Sequence, residues 1–135
     1  MIAISVDLGH ARTGLAISDK SGFLASSLCV ITEHNDEKLI QKIAEKVKEN
    51  KAEIIVVGLP RNMDGSEGES ARRAREIAAK LSEVTGVPHH MQDERGTTIT
   101  AHHYLGAGNV YGKKRKQKVD AVAASIILQD YLDSK

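Results

Sequence analysis

Carboxylates stand at the ends of three predicted secondary-structure elements, where a divalent-metal site could form. Asp7 follows an apolar run over residues 2–6, Asp93 and Glu94 follow a short predicted strand, and Asp120 opens the last predicted helix. An ionised carboxylate beside apolar residues is costly unless it is paired or binds a cation. Magnesium prefers oxygen ligands, and two such ions about 4 Å apart can activate water against a phosphodiester. The three positions therefore indicate metal-dependent phosphodiester hydrolysis.

Each of the first acids also has a purely structural interpretation. Taken alone, Asp7 is better explained as a turn residue that caps the Gly9 loop through its own backbone. Side chains alternate along a strand, so Asp93 and Glu94 point to opposite faces and at most one of them shares a site with Asp7. Asp93 is also a candidate cap for a helix that begins near Thr97. The residues alone leave the choice between Asp93 and Glu94 open.

Asp120 is the acid that the helical pattern places most clearly. At about 100° per residue it lies opposite the polar stripe of the last helix. That stripe contains Ser125, Gln129 and Asp133, whereas Asp120 aligns with Ala124, Ile127 and Tyr131. Its position on the apolar face favours a functional role, and capping of the first helical turn is the alternative.

Histidine and cysteine offer no competing metal site in the sequence. The six histidines include two adjacent pairs, 89–90 and 102–103, whose members diverge on either a strand or a helix. The single Cys29 is interpreted as a core residue, and one cysteine excludes a disulfide-stapled secreted fold.

Positive charge is concentrated near the last helix. Five of the 19 basic residues lie within positions 113–118, so the other 14 face 18 acidic residues, a balance of −4. These five are Lys113, Lys114, Arg115, Lys116 and Lys118. Glycines at 106, 108 and 112 precede or interrupt this segment, so residues 106–118 are predicted to form a mobile loop. Such a patch binds phosphates, and a solvated loop is the alternative.

Two glycine-rich segments are further candidates for phosphate contact. Residues 7–14 have the pattern of a strand-turn-strand phosphate loop, without the Gly-Lys-Ser/Thr of a Walker A motif. Residues 58–70 lie between a buried strand and a helix N-terminus, where Arg61 and Asn62 are candidates to contact nucleic acid. An ordinary long loop is the alternative for the second segment.

The elements that must position these residues follow from hydrophobic periodicity. Strands are predicted over 2–6, 15–18 and 23–31 as an antiparallel meander, followed by strands over 54–57 and 87–92. Helices are predicted over 39–47, capped by Asn35 or Asp36, and from Ser70 to Gly86. Further helices are predicted over 97–105 and 119–132. The expected fold is α/β, with three layers and a mixed five-stranded sheet.

Length and composition bound the class of protein. A chain of 135 residues with 41% hydrophobic and 27% charged residues predicts one soluble domain over 1–135. No apolar run approaches 18 residues and no basic region precedes Ile2, so a membrane span and a signal peptide are not expected. A cytoplasmic protein without a membrane partner, monomeric or weakly dimeric, is expected. Aromatics are only 3%, which weakens a base-stacking interpretation.

Four segments together resemble one family. They are VDLGHARTGLAISD at 6–19, VVGLPRNMDGSEG at 56–68, DERGTT at 93–98 and VDAVAASIILQDYLD at 119–133. In this order they resemble the YqgF/RuvX family of ribonuclease-H-like proteins, proposed to mature the 5′ end of pre-16S rRNA and also described as Holliday junction resolvases. The resemblance implies a ribonuclease-H-like fold.

The resemblance also implies roles for individual residues. Asp7, Glu94 and Asp120 would be the catalytic acids and would bind Mg²⁺ or Mn²⁺. Arg12 and Asn62 would meet the substrate backbone. Arg95, beside Glu94, is counted with them as substrate-binding, as are the five basic residues of 113–118.

Two positions depart from the family pattern. Gly96 stands where a larger apolar residue is expected, which removes no metal ligand. Ala123 and Ala124 occupy the turn after Asp120, so this helix supplies no fourth acid there. A second ion would therefore depend largely on substrate phosphate.

The sequence thus predicts a metal-dependent endonuclease that acts on structured RNA, with pre-16S rRNA as the expected substrate. One alternative is a resolvase of branched DNA with the same chemistry, which would need a dimer to cut two strands symmetrically. Another is a non-catalytic, RNA-binding ribosome assembly factor. A nucleotide-binding fragment of the actin/hexokinase type is disfavoured because that fold needs two domains.

Overall fold

The computed structural model describes residues 1–60, 64–93 and 112–134, with only the backbone of 112–121. It contains five strands and three helices in these ranges. The strands are β1 (Ala3–Leu8), β2 (Arg12–Ser18), β3 (Ala25–Thr32), β4 (Ile54–Leu59) and β5 (His89–Asp93). The helices are α1 (Asp36–Glu49), α2 (Glu69–Thr85) and α3 (Gly112–Asp133).

The strands form one mixed sheet in the order β3-β2-β1-β4-β5. The pairs β1–β2 and β2–β3 are antiparallel, whereas β1–β4 and β4–β5 are parallel. The predicted meander and the predicted five-stranded mixed sheet are therefore confirmed. In this order β1 and β4 are interior strands, which explains their nearly continuous apolar sequences.

Helices cover both faces of the sheet and make three layers. One face packs α1 and α2 against alternate strand residues that include Ile4, Val6 and Val57. The other face packs α3 against the intervening residues, among them Ala3 and Val56. The side-chain alternation of β1 thus decides which of its residues meets α3.

Local capping explains where the first two helices begin and end. The side chain of Asn35 accepts a hydrogen bond from the backbone N–H of Lys38, which confirms the predicted cap of α1. The predicted Ser70 cap of α2 is wrong, because Gly68 is the N-cap and α2 begins at Glu69. Gly86 ends α2 with a φ of 72°, a left-handed conformation that glycine adopts without strain.

The basic segment differs from its prediction. Residues 112–118 belong to α3, which begins seven residues before the predicted start at Val119. Lysine, arginine and glutamine are good helix formers, and their propensity outweighs the preceding glycines that suggested a loop. Strand β2 also begins earlier, at Arg12, because Gly14 pairs within the ladder opposite Asp7.

Two further predictions concern the helix over 97–105 and the absence of a membrane span. The helix predicted over 97–105 lies outside the described residues. Within the three described ranges, no helix is long and apolar enough to cross a membrane.

Candidate active site at the end of the central strand

Asp7 is the penultimate residue of β1 and is half-buried. Its position faces the α3 side of the sheet, because Ser5, two residues earlier, makes a hydrogen bond to α3. On the neighbouring β2 its partner is Gly14, which brings no side chain to the same face. The strand therefore presents a carboxylate on the α3 side of the sheet, with no β2 side chain directly opposite it.

The strand register decides the position of Asp93. Gly58 pairs with Gln92, and Leu59 pairs with Asp93. Because Met91 packs in the α1–α2 core, Gln92 faces α3 and Asp93 faces the α1–α2 side. Asp93 thus does not share a face with Asp7. Of the two neighbouring acids, Asp93 is therefore excluded as a residue that shares a site with Asp7, and Glu94 remains the candidate.

Helix α3 lies antiparallel to β1, with its C-terminal half over the beginning of the strand. The buried hydroxyl of Ser5 donates a 2.6 Å hydrogen bond to the carbonyl oxygen of Ala124. Further along α3, Tyr131 packs in the same cluster as Ala3. The N-terminal half of α3 consequently extends towards the end of β1 that carries Asp7.

This antiparallel arrangement brings two of the predicted acids to one edge. Asp120 precedes Ala124 by four residues, about 6 Å along the helix axis. Asp7 follows Ser5 by two residues, about 7 Å along the strand in the same direction. Both backbone positions therefore advance by about the same distance from the Ser5–Ala124 contact. The backbone of Asp120 thus lies towards the same edge of the sheet as the half-buried Asp7.

The turn after β1 is held from the opposite face by Arg73 of α2. Its Nη1 donates a 2.8 Å hydrogen bond to the Gly9 carbonyl, and its other nitrogens bind the Asp36 carboxylate. A Cβ on Gly9 would collide with the Arg12 carbonyl oxygen, so the turn requires glycine. Arg73 therefore ties the turn that follows Asp7 to α1 and α2.

A cleft of about 200 Å³ opens beside this turn. Its lining comes from the end of β1, the turn that follows and the first two turns of α2, namely Leu8, Gly9, His10, Glu69, Ser70 and Arg73. The hydrogen bonds from Arg73 hold the pKa of Asp36 below its usual value. The cleft is therefore lined in part by Arg73, which already forms a salt bridge with Asp36.

The remaining predicted site residues divide into two groups. Arg12 opens β2 at the same end of the sheet as Asp7 and is half-buried. Asn62, Glu94 and Arg95 lie outside the described residues. The five basic residues of 113–118 lie on α3, and their side chains, like that of Asp120, are also outside.

Among the described side chains, no group of three acidic, histidine or cysteine residues is positioned to hold a metal ion. A three-acid site thus depends on Glu94 and on the Asp120 side chain. Sequence reasoning missed Ser5 and Arg73. Ser5 had one available signal, because it is the only polar residue in the run 2–6. For Arg73 the sequence offered none.

Comparison with known proteins places this arrangement in a family. The family model RuvX, described as a Holliday junction resolvase, matches residues 1–134. A protein of Leuconostoc mesenteroides provisionally named a pre-16S rRNA nuclease is 40% identical, covering 100% of this chain and 96% of that protein. One from an Anaeromyxobacter species with the same provisional name is 42% identical, covering 98% and 96%.

A solved structure agrees with the fold. Thermus thermophilus RuvC in complex with a Holliday junction superposes with a TM-score of 0.64 at 15% identity, covering 99% of this chain and 94% of that one. This likeness confirms the expected ribonuclease-H-like fold. The expected class of activity, phosphodiester hydrolysis by a nuclease, is confirmed by the family match and the named relatives. The chain belongs to the RuvX family.

Proposed function

We propose that this chain is a divalent-metal-dependent endonuclease that cleaves structured RNA, with maturation of the 5′ end of pre-16S rRNA as its role. The observation that carries the proposal is the Ser5–Ala124 hydrogen bond, which brings the Asp7 and Asp120 positions to one edge of the sheet. Two acids from a central strand and a crossing helix form the core of an oxygen-ligand site.

The available donors fit a hard cation such as Mg²⁺ or Mn²⁺. Asp7 is half-buried at a strand end and faces α3, as described above. Glu94 joins these acids in the proposal because the family resemblance assigns it a catalytic role, and because its neighbour Asp93 faces the other side of the sheet. In the proposal Asp7, Glu94 and Asp120 hold the ion. Bound there, the ion would supply a Lewis acid beside the scissile phosphate.

The chain's own residues orient the nucleic acid around these acids. Helix α3 continues beyond Asp120 towards its N-terminus, and Lys113 lies seven residues away, about 10 Å along the axis. The five basic positions therefore lie on the part of α3 that continues past the acidic edge, where those on the Asp120 side of the helix neutralise substrate phosphates. Arg12, at the same end of the sheet, contributes another positive charge. Asn62 and Arg95 complete the proposed substrate contacts.

RNA is favoured over DNA because relatives about 40% identical over nearly their whole length carry the pre-16S rRNA nuclease name. A precursor rRNA substrate in a bacterium implies that the protein acts in the cytoplasm. The proposed enzyme is a monomer or a weak dimer. The family description supports a second candidate, resolution of branched DNA. A single acidic edge per chain cuts one strand, so resolution additionally requires a dimer.

A side-by-side cleavage assay tests the proposal. Purified protein is incubated with Mg²⁺, Mn²⁺ or EDTA and offered a precursor fragment containing the 16S 5′ end or a four-way DNA junction. We expect metal-dependent cleavage of the RNA. Asp7→Asn should abolish it, because the amide cannot replace an anionic ligand. Asp93→Asn is the matched control, since Asp93 faces the opposite side of the sheet.

The outcomes separate the candidates. Cleavage of the junction but not of the RNA would establish the resolvase. RNA binding without cleavage in any metal would establish an assembly factor. Wild-type cleavage by Asp7→Asn would remove the proposed acidic site.

A further inference from the structure

We propose that Ser5 is a positioning residue that fixes the spacing between Asp7 and Asp120 through the Ala124 carbonyl. The inference rests on the proposed metal site, to which it adds a residue that touches neither metal nor substrate. Ser5 is fully buried, and its hydrogen bond joins residues 119 positions apart in the sequence.

The surroundings of this hydrogen bond are apolar. The α3 side of the sheet packs Ala3, Ala16 and Val56 against Ala124 and the residues that follow it on α3. Apolar contact is not directional, so it holds the helix against the sheet without fixing its position along the strand. A 2.6 Å hydrogen bond is directional and has a narrow range of lengths. The Ser5 hydroxyl therefore determines how far α3 extends along β1.

Small residues allow this contact. A serine side chain reaches a helix carbonyl only where the helix backbone lies close to the strand. Ala3, Ala16 and Ala124 are all at most 1% exposed and contribute only a methyl group each to the interface. The helix consequently approaches β1 closely at the level of Ser5, next to the acidic edge.

The position of α3 along β1 determines how Asp120 lies relative to Asp7. Asp7 and Asp120 each lie about 6–7 Å from the Ser5–Ala124 contact, in the same direction. A slip of α3 along β1 would move Asp120 past Asp7 by the full extent of the slip. Carboxylates that share an ion tolerate little such movement, since the ligand distances of Mg²⁺ are close to 2 Å. Loss of the hydroxyl should thus weaken metal binding more than it weakens the fold.

Two substitutions at Ser5 and one control test this role. Ser5→Ala removes the donor, and Ser5→Cys retains a weak donor of similar shape. Thr13→Val is the matched control, because Thr13 is also buried in the sheet but faces the α1–α2 side. Its hydroxyl has no hydrogen-bond partner among the described residues. Asp7→Asn reports on the metal site itself.

The measurements are the Mn²⁺ dissociation constant, from the electron paramagnetic resonance signal of free Mn²⁺, and the melting temperature without metal. We expect Ser5→Ala to weaken Mn²⁺ binding about tenfold, as the loss of an outer residue that orients a ligand does. Ser5→Cys should be intermediate, and Thr13→Val should bind Mn²⁺ as the wild type does. The kcat for RNA should fall with Mn²⁺ affinity.

The results that would overturn the role of Ser5 can be told apart from those that would overturn the metal site. If Asp7→Asn weakens Mn²⁺ binding but Ser5→Ala does not, the positioning role is overturned and the proposed metal site stands. If Ser5→Ala and Thr13→Val weaken binding equally, the effect is a general loss of stability and the role is again overturned. If the wild type and Asp7→Asn bind Mn²⁺ alike, the metal site fails and the role of Ser5 fails with it.

Discussion

The helical conformation of residues 112–118 makes the contribution of each positive charge depend on its side of α3. At about 100° per residue, the Lys113 and Lys116 positions fall within about 40° of Asp120 around the helix axis. The Lys114 and Lys118 positions fall about 120° and 160° away, on the other side. A nucleic acid held at the Asp120 edge should therefore contact the first pair and not the second.

Two double variants with equal charge test this directly. Lys113→Gln with Lys116→Gln should remove two phosphate contacts, while Lys114→Gln with Lys118→Gln should remove none. Each lost contact lowers the slope of log K against log salt by about 0.7 for a single strand and 0.9 for a duplex. The first variant should therefore lose about 1.4 to 1.8 from the slope. Over 50 to 200 mM salt, that reduces the salt-dependent change in affinity by about 7- to 12-fold.

The assay is fluorescence anisotropy with a labelled precursor RNA fragment, titrated at five salt concentrations in EDTA to prevent cleavage. Circular dichroism of both variants controls for loss of helix, since glutamine has nearly the helix propensity of lysine. Equal slope losses in the two variants would refute the reasoning, because a flexible loop releases counterions according to the number of charges alone. A larger loss in the Lys114/Lys118 variant would place the RNA on the other side of α3.

Two predictions concern the frame that holds the site. Arg73→Met should lower the free energy of unfolding at pH 7 by about 2 kcal/mol, mainly through the lost bond to the Gly9 carbonyl, because the exposed pair with Asp36 is worth little. Because the pKa of Asp36 is lowered in the folded state, its carboxylate stabilises the fold above the ordinary value of 3.8, and this contribution is lost as pH falls from there through the lowered value. Urea unfolding of wild type and variant should therefore converge partly in acid. Leu128→Ala, at a fully buried position on α3, should cost about 2–5 kcal/mol in one cooperative urea transition. Two separate transitions would show that α3 unfolds independently of the sheet.

The parts of the fold that were predictable from the sequence are those with strong periodicity. Leu39, Ile43 and Val47 recur at helical spacing and are buried on α1, as predicted. The apolar run at 54–57 forms the first four residues of β4, which lies between helices on both faces of the sheet. Both patterns follow directly from burial, which acts on every residue of an element at once.

Element ends were less predictable, because they depend on single residues and on tertiary context. The glycine that precedes the basic segment suggested a loop, but it is the first residue of α3. Serine is a common helix cap, yet Ser70 lies inside α2: the helix begins at Glu69, its N-cap is Gly68, and no side-chain hydrogen bond caps it. In both cases a local preference competed with the packing of a whole helix.

In the candidate site, too, some features were predictable from the sequence and others depended on tertiary structure. The sequence alone leaves Asp93 and Glu94 as alternatives, and only the register of β5 on β4 shows that Asp93 faces away from Asp7. The partnership of Ser5 and Ala124 has no sequence signal, because it joins residues 119 positions apart. Sequence identifies which residue types are able to do the chemistry, and tertiary contacts decide their spacing.

Because α3 is one continuous helix, it couples the position of Asp120 to that of the basic segment, which a loop would not do. Asp120 and the basic segment belong to one continuous helix, so the register set at Ala124 also fixes the positive charges relative to Asp7. A helix transmits a shift along its axis without absorbing it, whereas a loop distributes the same shift over many dihedral angles. Contacts to phosphates and contacts to the ion consequently cannot adjust independently. In the proposed site, substrate bound to the basic positions in the correct register would place its backbone at the acidic edge, and misregistered substrate would be held away from it.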